Sequence, residues 1–310
     1  MPGRIDDISD FFNIDCDDEI EVGGRYYRIT GHEKERRFGI EDPKFWVKRA
    51  IDLENGNRKI IKFAYFESFF TTLGGVKIRC YRSPDKEGEV LECMHGHPLF
   101  MQGEVFRDRH DNNIRVLDIV RGTNLFVRLD NLVMSHREYF ETVMPGLLRQ
   151  ALPSFSAIRE LHLKGYRHGD IRSDHLMIEH KTGNMVWIDF DYDYDAPENP
   201  YGLDIFGMGN ILLYILGKGF HDLYMIASEE GLYKGLMDRI DAGDFSILDK
   251  SRFFNLKKIF PYIPEQLNDI LLHFSKKSPV FYESTDEFLE DLNRAVDAYC
   301  LPAAEKMQKA

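Results

Sequence analysis

Two stretches near the middle of the chain decide the fold: Tyr166-Arg-His-Gly-Asp-Ile-Arg-Ser-Asp-His-Leu-Met177 and Val186-Trp-Ile-Asp-Phe-Asp191. A long segment of helical pattern precedes the first stretch, and a hairpin-like interval leads from it to the apolar run that ends at Asp189. This order can bring the carboxylates of Asp170 and Asp189 to one cleft from separate loops. One carboxylate could orient or deprotonate an attacking hydroxyl group, while the other holds a divalent metal on a phosphate. Each piece alone is weak evidence, because a buried His-Gly-Asp turn is often purely structural.

The segments on either side of these stretches have different periodicities. Runs rich in aromatic and β-branched residues, which predict strands, dominate the first part of the chain, and apolar residues at helical spacing dominate the second part. The predicted strands are Arg25–Thr30, Lys44–Asp52, Lys59–Phe66, Phe100–Arg107 and Ile114–Val120. The predicted helices are Pro84–Met94, Glu141–Leu163, Leu203–Leu216, Ile263–Phe274 and Asp286–Tyr299. We therefore expect an α+β protein with a β-rich N-lobe at residues 1–121 and a mainly helical C-lobe at residues 122–310.

The composition disfavours several classes of protein. The 40 Lys and Arg residues against 52 Asp and Glu give a net charge of -12, which opposes a role in neutralising nucleic-acid phosphates. The longest apolar run, near Ile211–Leu216, is far shorter than the roughly 20 residues that a membrane-spanning helix needs. The acidic N-terminus lacks the apolar core of a secretory signal, and the four cysteines have no metal-ligand spacing. We expect a soluble cytoplasmic protein that binds neither nucleic acid nor a membrane.

In this order, the motifs resemble those of the protein kinase superfamily over nearly the whole chain. His168-Gly-Asp170 resembles the HRD motif of the catalytic loop, in the HGD form of atypical and small-molecule kinases. Asp189 matches the metal-binding aspartate of the DFG motif, and Asp204 matches a buried aspartate that supports the catalytic loop. The last helices resemble those of bacterial serine/threonine protein kinases. The resemblance implies a bilobal protein-kinase-like fold in which Asp170 is the catalytic base and Arg172 steadies the transferred phosphoryl group.

The first half of the chain carries matching features for nucleotide binding. The resemblance implies that Lys62 holds the α- and β-phosphates of ATP and that Glu87 of the following helix holds Lys62. Glu89 is a competing assignment for the helix glutamate. The segment around Asp118 and Val120 resembles the hinge, where backbone groups would bind adenine. ATP and Mg²⁺ or Mn²⁺ are the implied cofactors.

The glycine-rich loop of the family is missing. Between the first two predicted strands, Gly31–Gly39 lacks the close-set glycines that let backbone N–H groups approach phosphates. Lys34, Arg36 and Arg37 either substitute for the loop as charge donors or form only a solvated turn.

Further departures affect the metal site and the segment that follows it. His175 replaces an asparagine that binds the second metal, and imidazole suits softer ions than Mg²⁺, which favours Mn²⁺. Asp191 replaces the DFG glycine and adds either a third metal ligand or charge repulsion. Only fifteen positions separate Asp189 from Asp204, too few for a regulated activation segment. Gly169 also replaces the arginine that receives the activating phosphate, so we expect no activation by loop phosphorylation.

Two hypotheses follow for the function. The first is an ATP-dependent phosphotransferase that transfers the γ-phosphate to a hydroxyl group, on a serine or threonine of a protein or on a small molecule. The retained Lys62, Asp170 and Asp189 favour it, with His175 or Asp191 helping to hold the metal. The second is a pseudokinase, a nucleotide-binding or scaffolding module without turnover, favoured by the lost glycine loop and the changes at 175 and 191. The acidic balance opposes a third candidate, a nucleic-acid-associated scaffold.

Overall fold

The structure, a computed structural model, describes residues 4–5, 7–37, 40–73, 75–196, 198–278 and 280–300. Strands dominate the part before residue 119: β1 (Arg4–Ile5), β2 (Glu19–Val22), β3 (Arg25–Arg37), β4 (Ile40–Asp52), β5 (Arg58–Lys62), β6 (Ser68–Leu73), β7 (Val76–Arg82), α1 (Pro84–Cys93), β8 (Gly103–Arg107) and β9 (Asn113–Asp118). Helices dominate the rest: β10 (Gly122–Asn124), α2 (Leu125–Asp130), α3 (His136–Thr142), α4 (Met144–Leu163), β11 (Leu176–Glu179), β12 (Met185–Trp187), β13 (Tyr192–Tyr194), α5 (Gly202–Gly217), α6 (Leu223–Ala227), α7 (Glu265–Leu272) and α8 (Thr285–Cys300).

The main sheet of the first part has the order β1-β2-β3-β4-β5-β9-β8 among the described residues. Its neighbouring strands are antiparallel, except that β1 and β2 run parallel. One face buries a cluster that includes Tyr27, Trp46, Ile61 and Val116. Helix α1 packs against β8 and β9, so that a charged residue of α1 can reach the end of β5. Ser83 begins α1 by accepting a hydrogen bond from the N–H of Lys86, as an N-cap residue does.

A smaller sheet joins the two halves of the chain. Its order is β13-β7-β6, so that β13 from the second half pairs with the β6–β7 hairpin from the first. Tyr192 lies opposite Arg82, and Tyr194 lies opposite Cys80. The sequence prediction missed this hairpin, and it extended the preceding strand to Phe66, whereas β5 ends at Lys62. This sheet covers one side of the cleft described below.

The helical part is built around α4 and α5. Helix α5 is apolar on nearly all its faces and is buried along its length, as expected for a helix in the centre of a lobe. Trp187 of β12 is fully buried against α4, and its Nε1 donates a hydrogen bond to the Ser154 carbonyl oxygen at 2.7 Å. Helix α4 begins at Met144, because residues 136–142 form the separate helix α3 capped by Ser135. The predicted start at Glu141 was therefore wrong by three residues.

The expected α+β architecture is confirmed: a β-rich N-lobe is followed by a mainly helical C-lobe. The boundary between residues 121 and 122 stays a prediction, since β13 of the second half pairs with β7 of the first. Of the helices within the described ranges, none combines the length and the apolar character needed to cross a bilayer.

Candidate active site

Lys62 lies at the end of β5 with its ammonium group among three carboxylates. Its Nζ is 2.8 Å from Oε1 of Glu87 on α1, contacts Oδ1 of Asp189, and is 3.4 Å from Oδ2 of Asp191. Arg115 of β9 holds the other Glu87 oxygen at 3.0 Å. Burial alone would lower the pKa of Lys62, but the charges of the three carboxylates raise it above its ordinary value. The lysine is therefore cationic and fixed in position.

Asp189 is held between two lysines. One of its oxygens contacts Lys62, and the other lies 3.6 Å from Nζ of Lys44 on β4. Burial by itself would raise the pKa of Asp189, but the two lysines hold it well below the ordinary value. The backbone of Asp189 has a φ of 64°, a left-handed conformation that is uncommon outside glycine. The ordered contacts on both carboxylate oxygens offset this local strain.

A β-bulge directs Lys44 into the site. His32 of β3 pairs with Lys48 of β4, but the next residue, Glu33, pairs with Lys44. Residues 45–47 therefore have no partner on β3, although β4 continues to pair with β5 at this point. Extra residues of this kind bend a strand and change the direction of its side chains. The bulge places Lys44 above Asp189, at the mouth of the cleft.

His175 lies between the two aspartates on which the prediction of catalysis depends. Its Nδ1 is 2.9 Å from the backbone oxygen of Asp170 and 3.4 Å from Oδ2 of the same residue, while its Nε2 is 3.5 Å from Oδ2 of Asp189. Arg172 is 4.0 Å from Asp170 and pairs more closely with Asp174. Burial raises the pKa of Asp170 above its ordinary value, so that its carboxylate accepts a proton more readily than an exposed one.

Asp204 of α5 supports the loop that carries Asp170. Its two oxygens accept hydrogen bonds from the backbone N–H groups of His168 at 2.7 Å and Gly169 at 2.8 Å. His162 of α4 lies 3.0 Å from the same carboxylate. Burial alone would raise the pKa of Asp204, but the hydrogen bond and charge of His162, with the backbone N–H groups, lower it to about 2. The ionised carboxylate fixes the backbone that leads into Asp170.

The geometry explains why glycine occupies position 169. Gly169 has a φ of 86°, and a Cβ atom there would overlap the carbonyl oxygen of Tyr192. A larger residue such as arginine could not be placed at this position unless β13 moved. Glycine at position 169 is therefore linked to the close approach of β13.

Lys86 of α1 connects the lobes through backbone carbonyl oxygens. Its buried Nζ donates to the backbone oxygens of His168 at 2.8 Å, Phe190 at 2.7 Å and Tyr192 at 2.7 Å. Burial lowers the pKa of this amine to about 8. Three carbonyl oxygens thus tie the catalytic loop and the segment after Asp189 to α1.

Asp191 points into the protein, away from the open cleft. One of its oxygens contacts Arg82 of β7, and the other has no hydrogen-bond partner among the described residues. Arg82 also donates to Glu67 at 2.8 Å and to the Tyr192 hydroxyl group at 2.8 Å. Burial alone would raise the pKa of Asp191, but Lys62 and Arg82 lower it. The acidic side chain at the DFG glycine position therefore forms an internal ion pair.

Two cavities meet at Lys44 and Asp189, which line both of them. The first cavity, of about 270 Å³, reaches Asp118 and Val120 at the predicted hinge. Its apolar walls are formed by Val47, Ile60, Met101, Leu117, Met177 and Ile188. The second cavity, of about 410 Å³, contains Asp170, Arg172 and His175. A flat apolar group and a phosphate chain could extend from the hinge to this junction.

Two acidic groupings are candidates for a metal ion. Ligand atoms of Glu87, Asp189 and Asp191 lie within 4.8 Å of one another, but the ammonium group of Lys62 already lies among them. On the open side, a carboxylate oxygen of Asp189 and Nε2 of His175 are 3.5 Å apart. One carboxylate oxygen and one imidazole nitrogen fit a divalent transition metal such as Mn²⁺ better than Mg²⁺. Both groupings already lie beside a lysine: Lys62 is among the buried carboxylates, and Nζ of Lys44 is 3.6 Å from the Asp189 oxygen that faces His175. The open grouping differs in that it lines the cavity where the phosphates could lie.

The structure brings most of the predicted site residues together. Lys62, Asp170, Asp189, His175 and Arg172 line one or both cavities, while Asp118 and Val120 line the far end of the first cavity. Glu87 and Asp191 are buried behind them and contact Lys62. Glu89, the alternative to Glu87, is exposed and interacts with Tyr166 instead. Lys34 lines the first cavity, whereas the side chains of Arg36 and Arg37 lie outside the described residues.

Sequence reasoning missed three basic residues of the site. Lys44 was assigned only to a strand, because the bulge that turns it inward leaves no mark in the residue pattern. Lys86 was assigned to a helix whose lysines are ordinarily solvated. Arg82 lies in a hairpin that was not predicted, although Gly74-Gly75 between two strand-like runs is a hairpin signal.

No known family model matches the chain, and no curated protein matches it in sequence. Among solved structures, the crystal structure of the Mycobacterium tuberculosis PknI kinase domain aligns with a TM-score of 0.48 at 12% sequence identity. The alignment covers 88% of this chain and 97% of that chain.

Proposed function

We propose that the protein is an ATP-dependent phosphotransferase that transfers the γ-phosphate to a hydroxyl group. The observation that carries this proposal is the convergence of Lys62, Asp170 and Asp189 at the junction of two cavities. The first cavity has apolar walls at the hinge end and two lysines at the junction. The second cavity contains the half-buried carboxylate of Asp170, whose pKa is raised. A nucleotide site that opens onto a general base is what phosphoryl transfer needs.

The lysines and the hinge would bind ATP. Adenine would lie between the apolar walls, with backbone groups near Asp118 and Val120 as its polar partners. Lys62, fixed by Glu87, would hold the α- and β-phosphates. Lys44 would act nearer the junction. Its ammonium group would bind the phosphates in place of the backbone N–H groups that a glycine-rich loop supplies. Positioning and charge neutralisation supply most of the catalysis in this class of reaction.

Asp189 and His175 would hold the divalent cation, with Mn²⁺ or Mg²⁺ as the candidates. Such a cation neutralises charge on the phosphate oxygens during transfer. Asp191 would join these ligands only if its carboxylate left Arg82, with which it forms a buried ion pair. We therefore propose one metal position on the open side of Asp189 and keep Asp191 as a conditional ligand.

Asp170 would act on the acceptor. The acceptor oxygen forms a bond to the γ-phosphorus, the bond from that phosphorus to the bridging β-phosphate oxygen breaks, and the hydroxyl proton passes to the Asp170 carboxylate. ADP leaves with the electrons of the broken bond. Arg172, whose Nη1 is 4.0 Å from Asp170, would steady the transferred group.

Labelled ATP tests this proposal directly. The protein is incubated with γ-labelled ATP and either Mg²⁺ or Mn²⁺, beside Asp170→Asn and the control Asp195→Asn, which alters an exposed carboxylate beyond β13. We expect metal-dependent label transfer or hydrolysis in the wild type and the control, and a loss of about a hundredfold or more in Asp170→Asn. Equal turnover in Asp170→Asn and the control would contradict the assignment of the base.

A pseudokinase is the second candidate, favoured by the state of Asp191. Its buried pairing with Arg82 and its proximity to Lys62 neutralise the carboxylate that could have served as an extra metal ligand. Saturable ATP binding that needs no metal and gives no turnover in any variant would support this candidate. Binding measured by calorimetry with and without Mn²⁺ separates the two functions.

A further inference from the structure

The second cavity lies beneath the β6–β7 hairpin, on the side of the junction away from the hinge. Phe69 and Cys80 of the hairpin line it, and so do Tyr192 of β13 and Asp170 of the catalytic loop. Its volume of about 410 Å³ lies within the range of small-molecule pockets, about 300–1,000 Å³. An acceptor bound there would have its hydroxyl group beside Asp170.

The hairpin is held firmly as a roof over this cavity. The β7–β13 ladder pairs Arg82 with Tyr192 and continues to the N–H of Asp195, which donates to the Arg79 oxygen at 2.9 Å. The Arg82 guanidinium contacts buried Asp191, and the Tyr192 hydroxyl group contacts Glu67. These polar contacts fix the β6–β7 hairpin in place over the cavity, so the hairpin is part of the site and not a loose surface loop.

The segment after Asp189 is already occupied by contacts within the protein. The edge of β13 that faces the hairpin is used by β7. Arg167 donates to the Tyr194 carbonyl oxygen at 2.7 Å and lies 2.9 Å from Asp193. A protein segment could not pair with this edge of β13 unless it displaced the hairpin. The occupied edge therefore favours a small acceptor over a peptide that docks as a strand.

The charges around the cavity select against an ionic acceptor. Three cationic residues line it: Lys44, Arg82 and Arg172. Three acidic residues also line it: Glu67, Asp170 and Asp189. Most of these charges already have protein partners: Arg82 pairs with Glu67, Lys44 lies near Asp189, and Arg172 pairs with Asp174. The formal charges of the wall sum to zero. The wall can therefore form hydrogen bonds with hydroxyl groups, but it has no excess charge that would attract an ionic substrate.

An aromatic surface completes the cavity. The Phe69 side chain is 50% exposed, and its ring lies edge-on to that of Tyr192 at a centroid distance of 5.9 Å. An exposed ring beside polar groups fits a ligand with one apolar face and several hydroxyl groups. The neighbouring Phe70 does not line the cavity, and its ring lies 4.0 Å from Lys77 Nζ.

We propose that the cavity under the β6–β7 hairpin is the acceptor site and that the acceptor is a small, uncharged, polyhydroxylated molecule. This inference rests on the proposed phosphotransferase function and names its substrate class. One hydroxyl group of the acceptor lies beside Asp170, and Phe69 contacts the apolar face. The last helices suggest a different acceptor, a serine or threonine of a protein. The experiment below distinguishes the two acceptors.

The experiment separates acceptors by size. The protein is incubated with γ-labelled ATP and Mn²⁺, together with either the molecules below 1 kDa or the heat-treated proteins from an extract of the cells that produce it. Label is then measured in each fraction for the wild type and for Asp170→Asn. We expect Asp170-dependent label in the small-molecule fraction. Label transferred to the protein fraction instead would overturn the inference.

Substitutions of two neighbouring residues test whether the β6–β7 hairpin contacts the acceptor. Phe69→Ala should raise the KM for the labelled small acceptor by about three- to tenfold and leave the Kd for ATP unchanged, because Phe69 lies outside the nucleotide cavity. The matched control Phe70→Ala should change neither value. Equal effects of the two substitutions would overturn the assignment of the cavity. If neither fraction accepts label although ATP binds, the proposed phosphotransferase function fails, and this inference fails with it.

Discussion

Replacement of Lys44 by alanine should weaken the binding of ATP but not that of adenosine. The Lys44 ammonium lies 3.6 Å from Asp189 and lines both cavities where they meet. The proposed function places the terminal phosphates of ATP at this junction. Two unit charges about 4 Å apart interact by roughly 4 kcal/mol at an effective dielectric constant of about 20. Desolvation of the ammonium and its weaker contact with Asp189 offset part of this energy. A net contribution of about 1.5–3 kcal/mol, typical of a hydrogen bond to a charged group, weakens ATP binding by about 10- to 100-fold.

Isothermal titration calorimetry at fixed ionic strength measures this effect with ATP, ADP and adenosine. Lys44→Arg, which keeps the charge, should recover most of the affinity for ATP. Arg49→Ala is the matched control: it removes one positive charge from the same strand, where Arg49 is exposed and donates to the His32 oxygen at 2.9 Å. The reasoning is refuted if Lys44→Ala binds ATP within twofold of the wild type. Equal weakening of ATP and adenosine would also refute it, because that result would indicate general damage to the cavity.

The remaining predictions concern stability and are measured by urea unfolding. Gly169→Ala should cost about 2 kcal/mol or more because its Cβ overlaps the Tyr192 oxygen, and an unchanged midpoint would contradict this overlap. Arg82→Met should cost up to about 3–5 kcal/mol because buried Asp191 loses its closer cationic partner and keeps only Lys62 at 3.4 Å. The double variant Arg82→Met/Asp191→Leu should recover most of the loss; no recovery would show that the loss comes from packing. Burial lowers the pKa of His168 to about 3, so its contribution to stability is complete above pH 6.5, the ordinary value, and falls by about 1.4 kcal/mol per unit as the pH decreases toward 3. His168→Phe should flatten this part of the pH profile, and an unchanged slope would assign it to other groups.

The order of the site residues along the chain could be predicted because their local patterns follow one another in the order of the family motifs that the sequence resembles. Lys62 ends an apolar strand, Glu87 begins a helix, and Asp170 and Asp189 follow a helix and a strand respectively. Such signals depend on the residues immediately around them, and the order of elements then places them at one cleft. The buried pairing of Asp191 with Arg82 joins residues 109 positions apart, and no local pattern reports such a pair.

The roof of the second cavity could be predicted only in part. Ser68–Leu73 and Val76–Arg82 alternate as strands do, with two glycines between them, so the hairpin itself was within reach of the sequence. Its pairing with β13 was not, because β13 is three residues long and rich in aspartate and tyrosine. Short polar strands form only where a partner strand already exists. The inward direction of Lys44 depends on a bulge, which is visible only in the register of paired backbones.

The β7–β13 ladder also restricts how the two lobes can move. The chain connects the lobes through residues 119–121, and the ladder crosses between the two halves a second time, at Arg82–Tyr192 and Cys80–Tyr194. Two bodies joined at a single connection can rotate about it, but a second connection removes most of that freedom. Rotation of the lobes away from each other therefore requires rupture of main-chain hydrogen bonds. The amide of Asp195, which donates to the Arg79 carbonyl oxygen at 2.9 Å, should exchange with solvent at the rate of this rupture. The rate of ligand entry and release would then be set by separation of β13 from β7 rather than by rotation about the hinge.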